Sequence, residues 1–195
     1  MDFMQSETMV NLARSFAGES QARNRYTLYA KQARKENQEY LARLFERTAD
    51  NEKVHAEEFW EKLTQYAGKD IPNIGLDGGF PFSFGNTEEN LKFAADGEHE
   101  EFTDAYPAFA QTAQEEGFAD IAHLWKMIAG IEKQHHESFL QAHEELKNGT
   151  LHKKEQATPW RCSNCGYIHT ALEAPETCPV CSKPKGWAMG YIKER

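Results

Sequence analysis

The chain repeats an eight-residue motif, and this repeat constrains the fold more than any other feature. Residues 52–59 and 132–139 share the pattern E-K-x-H-x-E-x-F at an offset of 80. Further matches at an offset of 80 or 79 are Tyr26 with Tyr106, Leu44 with Leu124, and Gly18-Glu19 with Gly97-Glu98. Chance agreement at so many positions is improbable. The repeat therefore predicts two copies of one structural unit.

The spacing of apolar residues predicts four long helices. Core-type residues recur at alternating steps of three and four in four stripes, which lie within residues 9–33, 41–63, 91–113 and 121–146. This spacing places them on one helical face. Short breaks near Asn37 and Gly117 predict two antiparallel helical hairpins. The segment between the hairpins, from Gly68 to Thr87, is rich in Gly, Pro and Phe and has no helical period, so a long crossover is expected there.

Each stripe carries a carboxylate where an apolar residue is expected. A buried, unpaired carboxylate is strongly destabilising, so something must compensate for it. The two E-x-x-H elements place a carboxylate and an imidazole one turn apart on one face. A di-iron or di-manganese carboxylate site in a four-helix bundle has this ligand set: one Glu from each of two helices and a Glu-x-x-His element from each of the other two. The six candidate ligands are Glu19, Glu52, His55, Glu98, Glu132 and His135.

A single E-x-x-H element more often lies on a solvated helix face than at a metal. Two copies in register with two interior Glu positions are far more specific. Oxygen ligands with two imidazoles favour iron or manganese, although zinc could occupy the site in isolated protein.

Three further residues are candidates near this site. Glu101, one turn beyond Glu98, is a possible seventh ligand. Tyr26 and Tyr106 are expected to point inward and donate hydrogen bonds to metal-bound carboxylates, although simple core aromatics are the alternative. Tyr26 lies seven positions after Glu19, but Tyr106 lies eight positions after Glu98. A π-type irregularity between Glu98 and Pro107 would absorb the extra residue and turn Glu101 towards the metals.

All four cysteines lie near the C-terminus as two C-x-x-C pairs. Cys162 with Cys165 and Cys178 with Cys181 can close a tetrahedral four-thiolate metal site. Two disulfides are the alternative, but they are rare in a reducing compartment. Zinc and iron both accept four thiolates, so the spacing alone leaves the metal open. The small core around this site is predicted to contain Trp160, Tyr167, Ile168 and Trp187.

Charge and hydropathy exclude several classes of function. The formal net charge of -9 disfavours a nucleic-acid partner, because phosphate binding needs clustered Lys and Arg. The sequence has neither a signal-peptide pattern at its beginning nor a run of eighteen apolar residues. We therefore expect a cytoplasmic protein with no membrane partner.

Taken together, these residues resemble the rubrerythrin family over essentially the entire chain. The resemblance is carried by residues 16–26, FAGESQARNRY, by both E-x-x-H elements, by residues 97–101, GEHEE, and by residues 160–181 with the four cysteines. It implies an all-α, ferritin-like four-helix bundle with one long crossover over residues 1–148. A linker over 149–158 and a rubredoxin-like domain over 159–195 follow.

The resemblance also implies the cofactors and the activity. Two Fe ions would be held by Glu19, Glu52, His55, Glu98, Glu101, Glu132 and His135, and one Fe by the four cysteines, where Zn is possible in isolated protein. The expected reaction is reduction of hydrogen peroxide to water in oxidative-stress defence. A separate reductase or a rubredoxin would deliver electrons from reduced pyridine nucleotide, and Tyr26 and Tyr106 would steady the centre.

The assembly implied is a head-to-tail homodimer or a higher homo-oligomer, which brings each thiolate-bound iron near the partner's di-iron site. Two other functions remain open at this stage. A ferroxidase or iron-handling protein could use the same bundle, but a thiolate-iron electron donor would be superfluous there. A zinc-binding interaction module on a structural bundle would leave the interior carboxylates without a purpose.

Overall fold

The computed structural model describes residues 1–190, and residues 191–195 of the predicted small domain lie outside the described residues. The helices are α1 (Glu7–Lys35), α2 (Glu39–Ala67), α3 (Thr87–Glu100), α4 (Tyr106–Glu116) and α5 (Ala119–Lys147). A five-residue π-helical turn, Glu101–Ala105, joins α3 to α4 without a break, so these three segments form one long helix. The predicted four-helix bundle is therefore confirmed.

Local residue chemistry sets the ends of the helices. The Ser6 side chain accepts a hydrogen bond from the Met9 amide at 3.1 Å and caps α1. Asn86 and Glu89 form a reciprocal capping box at the start of α3. Gly117 takes a φ of 93° between α4 and α5, a conformation that glycine adopts without strain. These signals divide the bundle into the two hairpins α1–α2 and α3–α5.

The crossover between the hairpins lies along α1. Residues 69–86 contain neither helix nor strand. Arg14 bonds the Asp77 carboxylate at 2.5 Å, Gln21 donates to the carbonyl of Pro81, and the Tyr29 hydroxyl donates to the carbonyl of Ser83 at 2.6 Å. The crossover is thus fastened to one helix at three points along its length.

The bundle core has two aromatic parts with a polar layer between them. One part includes Tyr26, Tyr29, Phe45 and Phe139. The other part contains Phe59, Tyr106, Phe118 and Trp125. Burial of these rings is the main apolar contribution to the stability of the bundle. The candidate metal ligands lie in the layer that separates them.

The small domain is a three-stranded antiparallel sheet. Its strands are β1 (Lys153–Cys162), β2 (Ile168–Glu173) and β3 (Ala188–Gly190), with the spatial order β2-β1-β3. Strand β1 begins inside the segment predicted as a linker, because Lys153 already pairs with Glu173.

The core of this domain differs in part from the prediction. Its buried residues are Trp160, Ala174 and Ala188. The prediction for Ile168 was wrong, because this side chain lies on the outer face of the sheet and is 44% exposed. Tyr167 and Trp187 are partly buried. A core of this size is too small to stabilise a fold without a metal or another cross-link.

The small domain packs against the end of the bundle where α1 turns into α2. A Cβ on Gly186 would lie 1.8 Å from the carbonyl oxygen of Asn37, so only glycine fits at this contact. Leu151 packs into the bundle core, and Lys154 pairs with Glu145 at 2.7 Å. Within residues 1–190, no helix is long and apolar enough to cross a membrane.

Candidate metal centre

Six polar side chains form a buried cage between the two aromatic parts of the bundle. None of the six is more than 8% exposed. Helix α1 supplies Glu19 and α3 supplies Glu98, while α2 and α5 each supply a Glu and a His one turn apart. The structure therefore brings together the six ligands predicted from the repeat: Glu19, Glu52, His55, Glu98, Glu132 and His135.

The imidazole of His55 faces three carboxylates. Its Nδ1 lies 2.9 Å from Oε2 of Glu52, 2.8 Å from Oε1 of Glu132 and 3.8 Å from Oε1 of Glu19. Potential ligand atoms of these four residues all lie within 4.8 Å of one another. They form the first group that could hold an ion.

The imidazole of His135 has a matching environment. Its Nδ1 lies 2.7 Å from Oε2 of Glu132, 3.3 Å from Oε1 of Glu52 and 3.9 Å from Oε2 of Glu98. These four residues form a second group of the same size. The two imidazole rings are nearly parallel, with centroids 5.8 Å apart.

Two carboxylates belong to both groups. Glu52 directs Oε2 towards His55 and Oε1 towards His135, and Glu132 does the reverse. Such carboxylates can bridge two ions held side by side. Glu19 belongs only to the His55 group and Glu98 only to the His135 group, so each of these two carboxylates could contact only one ion.

The donor atoms of the cage fit two metal ions. Buried carboxylate oxygens without a hydrogen-bond partner occur on Glu19, Glu52, Glu98 and Glu132. An unsatisfied buried carboxylate is among the most destabilising groups in a protein interior. Divalent or trivalent cations would satisfy these oxygens and balance their charge, and mixed oxygen and imidazole donors suit iron or manganese.

Without a metal, the carboxylates and imidazoles of the cage have strongly shifted pKa values. Burial raises the pKa of Glu19 and Glu98, and the neighbouring carboxylates raise it further. Burial opposes the charged form of both imidazoles, yet the Glu132 and Glu52 carboxylates raise the pKa of His55 to about 10 and that of His135 to about 9. Burial would also raise the pKa of Glu132, but its hydrogen bond with His135 and the contact with His55 lower it to about 2.

Two buried tyrosines hold the Glu98 and Glu19 carboxylates. The Tyr26 hydroxyl donates to Oε1 of Glu98, and the Tyr106 hydroxyl donates to Oε1 of Glu19. Each tyrosine thus reaches across to a carboxylate of the other hairpin. Burial, followed by the charge of the bonded carboxylate, raises the pKa of both phenols, so both stay protonated as donors.

The expected π irregularity is present. Residues Glu101–Ala105 form the π-helical turn between Glu98 and Pro107, which confirms that prediction. The extra residue lets Tyr106 reach Glu19, as Tyr26 reaches Glu98. Such single-turn insertions concentrate at functional sites.

Glu101 stands outside both ligand groups. It is partly exposed and lines a cavity beside the cage, together with Tyr106. Burial and then the charges of Glu132 and Glu52 raise its pKa to about 8. It lines the cavity with Tyr106, whose hydroxyl is bonded to Glu19, and so lies at the edge of the cage; its role as seventh ligand stays a prediction.

Two residues near the cage were not singled out from the sequence. Oδ1 of Asn51 lies 3.3 Å from Nε2 of His135, on the side of the ring away from the carboxylates. The buried Arg25 guanidinium stacks over the Tyr26 ring at 5.2 Å and lowers the pKa of Glu101 against the effect of burial. The sequence offered no signal for Asn51, because residues next to each other on a helix do not share a face and its contact is with a different helix.

The four cysteines are presented by two turns of the same form. In each turn the first Cys amide donates to a carbonyl five residues later, from Cys162 to Tyr167 and from Cys178 to Lys183, both at 2.8 Å. The residue four positions after that Cys has a positive φ, which is 79° at Gly166 and 57° at Ser182. Two matching knuckles therefore face each other.

The four thiols are unpaired and close together. Sγ of Cys162 lies 3.6 Å from that of Cys181, and Sγ of Cys165 lies 3.7 Å from that of Cys178. Disulfide sulfurs lie about 2.05 Å apart, so these are not disulfides. A hydrogen bond involving Asn164 contributes most to lowering the pKa of Cys181 to about 6, which favours the thiolate that a metal requires. The arrangement fits one tetrahedral iron or zinc ion.

Comparison with known proteins agrees with both sites. The rubrerythrin family model matches residues 10–143, and the model for the rubrerythrin rubredoxin-like domain matches residues 160–186. Rubrerythrin of Porphyromonas gingivalis is 42% identical over 183 residues, which cover 93% of this chain and 88% of the relative.

Comparison with solved structures supports the same family and a ferritin-like fold. The mixed-valence state of nigerythrin has a TM-score of 0.63 and 32% identity, covering 98% of this chain and 94% of that structure. Bacterioferritin of Desulfovibrio desulfuricans, at 22% identity, a TM-score of 0.65 and coverage of 74% and 82%, shows the ferritin-like fold alone. With its candidate di-iron carboxylate cage and its four-cysteine rubredoxin-like cluster, the chain belongs to the rubrerythrin family.

Proposed function

We propose that this protein reduces hydrogen peroxide to water. The observation that carries the proposal is the pair of ligand groups that share Glu52 and Glu132, in a chain that also holds a four-thiolate site. Cleavage of the O–O bond consumes two electrons and two protons and yields two waters. Two ferrous ions held side by side would supply both electrons together.

The residues of the chain have distinct parts in this proposal. Glu19, Glu52, His55, Glu98, Glu101, Glu132 and His135 would hold the two ions, while the Tyr26 and Tyr106 hydroxyls orient the Glu98 and Glu19 carboxylates. Glu101 is partly exposed and lines the cavity beside the cage. Either Glu101 or His55 is the residue that we expect to change its position as the charge of the centre changes.

The four-cysteine site suits one-electron delivery. A tetrahedral iron with four thiolates has no open position for substrate, so its use is electron transfer. A ferroxidase draws electrons from its own Fe(II) substrate and would not need such a donor. The presence of both sites in one chain therefore favours peroxide reduction over iron oxidation.

The position of the small domain supports transfer between subunits. It contacts Asn37 in the turn before α2, and Glu52 lies 13 residues after Glu39 at the start of α2, so the bundle end and the cage are about 20 Å apart along the helix. A head-to-tail homodimer would bring each four-cysteine site near the partner's cage. A reductase or a rubredoxin, drawing on reduced pyridine nucleotide, would recharge that site.

A ligand variant tests the activity. Glu52→Ala removes a carboxylate shared by both groups and is expected to abolish peroxide reduction, while the red absorption of the ferric four-thiolate site persists. The control is Glu57→Ala, which removes an exposed carboxylate on the same helix. Unchanged turnover in Glu52→Ala would contradict the proposal.

Mixed subunits test the route of the electrons. Subunits carrying Cys165→Ser and subunits carrying Glu52→Ala are each expected to be inactive with a physiological donor. Heterodimers of the two retain one intact four-cysteine site beside one intact cage, so partial activity is expected. Absence of activity at every mixing ratio would indicate transfer within one chain.

A further inference from the structure

A cavity of about 220 Å³ adjoins the carboxylate cage. Its walls come from α1, α3, the π-helical turn, α4 and the crossover. Glu101 and Tyr106 line it, and the Tyr106 hydroxyl is bonded to Glu19 inside the cage. The six ligands Glu19, Glu52, His55, Glu98, Glu132 and His135 are buried, whereas Glu101 is partly exposed. The cavity therefore lies next to the cage, on the side of Glu101.

The cavity is much larger than hydrogen peroxide requires. A water molecule takes about 30 Å³ in the liquid, and hydrogen peroxide has only one more oxygen. Most of the space would remain unfilled when hydrogen peroxide lies beside Glu101.

The lining of the cavity is suited to an apolar group. Phe80, Pro81 and Phe109 contribute apolar wall. The polar side chains include Arg25, Glu100 and Glu101, together with Arg14, Gln21 and Asp77, which are engaged in the bonds between the crossover and α1. Ligand sites commonly combine an apolar lining with a few polar groups that orient the reacting end. The outer walls thus offer contacts that hydrogen peroxide cannot use.

The crossover wall is held in place by named bonds. Arg14 contacts the Asp77 carboxylate at 2.5 Å and Glu7 at 2.5 Å, and Gln21 donates to the carbonyl of Pro81. The segment 77–81 is thereby fixed against α1 on both sides of Phe80. The cavity does not depend on an unsupported loop.

We propose that this cavity admits organic hydroperoxides with a compact apolar group and that the cage reduces them as well as hydrogen peroxide. The inference rests on the proposed function, because it uses the same centre and the same donor. The O–O bond of ROOH breaks, the two oxygens leave as ROH and water, and two protons and two electrons are consumed. The electrons come from the one-electron donor that feeds the four-cysteine site, in two deliveries.

Gly18 offers a way to fill the cavity without removing any side chain. It lies in α1 on the cavity wall, and a Cβ built there meets no atom within 4 Å. Replacement of a helical glycine also improves helix propensity by up to about 1 kcal/mol, so the fold should tolerate larger residues. Gly130 in α5 is the matched control, because it is exposed and its Cβ also meets nothing within 4 Å.

The experiment compares kcat/KM for hydrogen peroxide, tert-butyl hydroperoxide and cumene hydroperoxide in the iron-loaded full chain. All three are expected to be reduced by the unaltered protein. Gly18→Leu should lower the ratio of kcat/KM for cumene hydroperoxide to that for hydrogen peroxide by at least about tenfold. Gly18→Ala should lower it less, and Gly130→Leu should leave it unchanged.

The outcomes separate the two proposals. Reduction of hydrogen peroxide without reduction of either organic peroxide overturns this inference and leaves the proposed function standing. Reduction of none of the three overturns the proposed function. An equal loss for all substrates in Gly18→Leu would also overturn the inference, because the cavity would then not select among them. Stopped-flow oxidation of the chemically reduced protein gives the same comparison without a donor protein.

Discussion

The two hairpins of the bundle supply equivalent ligands but differ in one inserted residue. Each provides one Glu that belongs to a single ligand group, one E-x-x-H element and one tyrosine that reaches across the cage. In the first hairpin, α1 is a continuous α-helix from Glu7 to Lys35. In the second, the π-helical turn interrupts the equivalent helix directly after α3. The difference indicates that the repeat builds the cage, while the insertion places Glu101 between one side of the cage and a cavity.

Alignment of the two hairpins shows which residue takes the place of Glu101 in the first hairpin. At the offset of 79 that aligns Glu19 with Glu98, Glu101 corresponds to Ala22. Ala22 is buried in the aromatic core, whereas Glu101 lies at the cage edge and lines the cavity. A symmetric bundle would enclose its metals on both sides. The second hairpin instead provides a titratable group and an adjoining cavity at one place.

The largest effect is expected when this asymmetry is removed. Glu101→Ala gives the second hairpin the residue that the first carries at Ala22. The six buried ligands remain, so we expect two metals still to bind. Peroxide turnover should fall by up to about 100-fold, which is the upper end of the effect of a residue that tunes a metal site. Metal analysis and steady-state kinetics measure the two results.

Asp96→Ala is the control for this variant. Asp96 is an exposed carboxylate on α3 that pairs with Lys92 in the same helix, and such pairs contribute little to stability. We expect normal turnover and normal metal content. Loss of both metals in Glu101→Ala would mean that the six-residue cage is insufficient, and full activity would remove Glu101 from the mechanism.

The second-largest effect concerns the two tyrosines, which have the same role in both hairpins. Tyr26→Phe and Tyr106→Phe each remove a buried hydroxyl that donates to the Glu98 or the Glu19 carboxylate. The carboxylate oxygen loses its partner in both cases, so each variant should be destabilised by about 2 kcal/mol in the metal-free state. Chemical denaturation of the apo protein measures this. If the losses in free energy of unfolding of the two variants differ by more than about 2 kcal/mol, the two tyrosines are not equivalent.

The sequence predicted the parts of the molecule that depend on spacing along the chain. Helical periodicity located the four helices, the repeat paired the ligands, and the extra residue before Tyr106 located the π-helical turn. Spacing could not show that Ile168 lies on the exposed face of a sheet, because that depends on which strands pair. It also could not reveal the cavity, since its walls come from helices and a crossover that only the fold brings together.

The smallest effect concerns the two histidines, whose outer ring nitrogens have different neighbours. Nε2 of His135 lies 3.3 Å from Oδ1 of Asn51, while the residue that matches Asn51 in the second hairpin is Ile131, which has no hydrogen-bonding group. Donation from Nε2 to Asn51 would leave Nδ1 of His135 free to bind a metal, because the other ring nitrogen then carries the proton.

Asn51→Ala should therefore weaken one of the two metal sites and leave the other unchanged. The expected loss is about tenfold, at the lower end for residues that orient a metal-binding histidine. A spectroscopic titration of metal-free protein with Co²⁺ would resolve the two sites as separate phases. Ile131→Ala is the matched control, since it removes a side chain at the equivalent position without removing a hydrogen bond. Equal weakening in the two variants would show that packing, and not the hydrogen bond to His135, fixes the imidazoles.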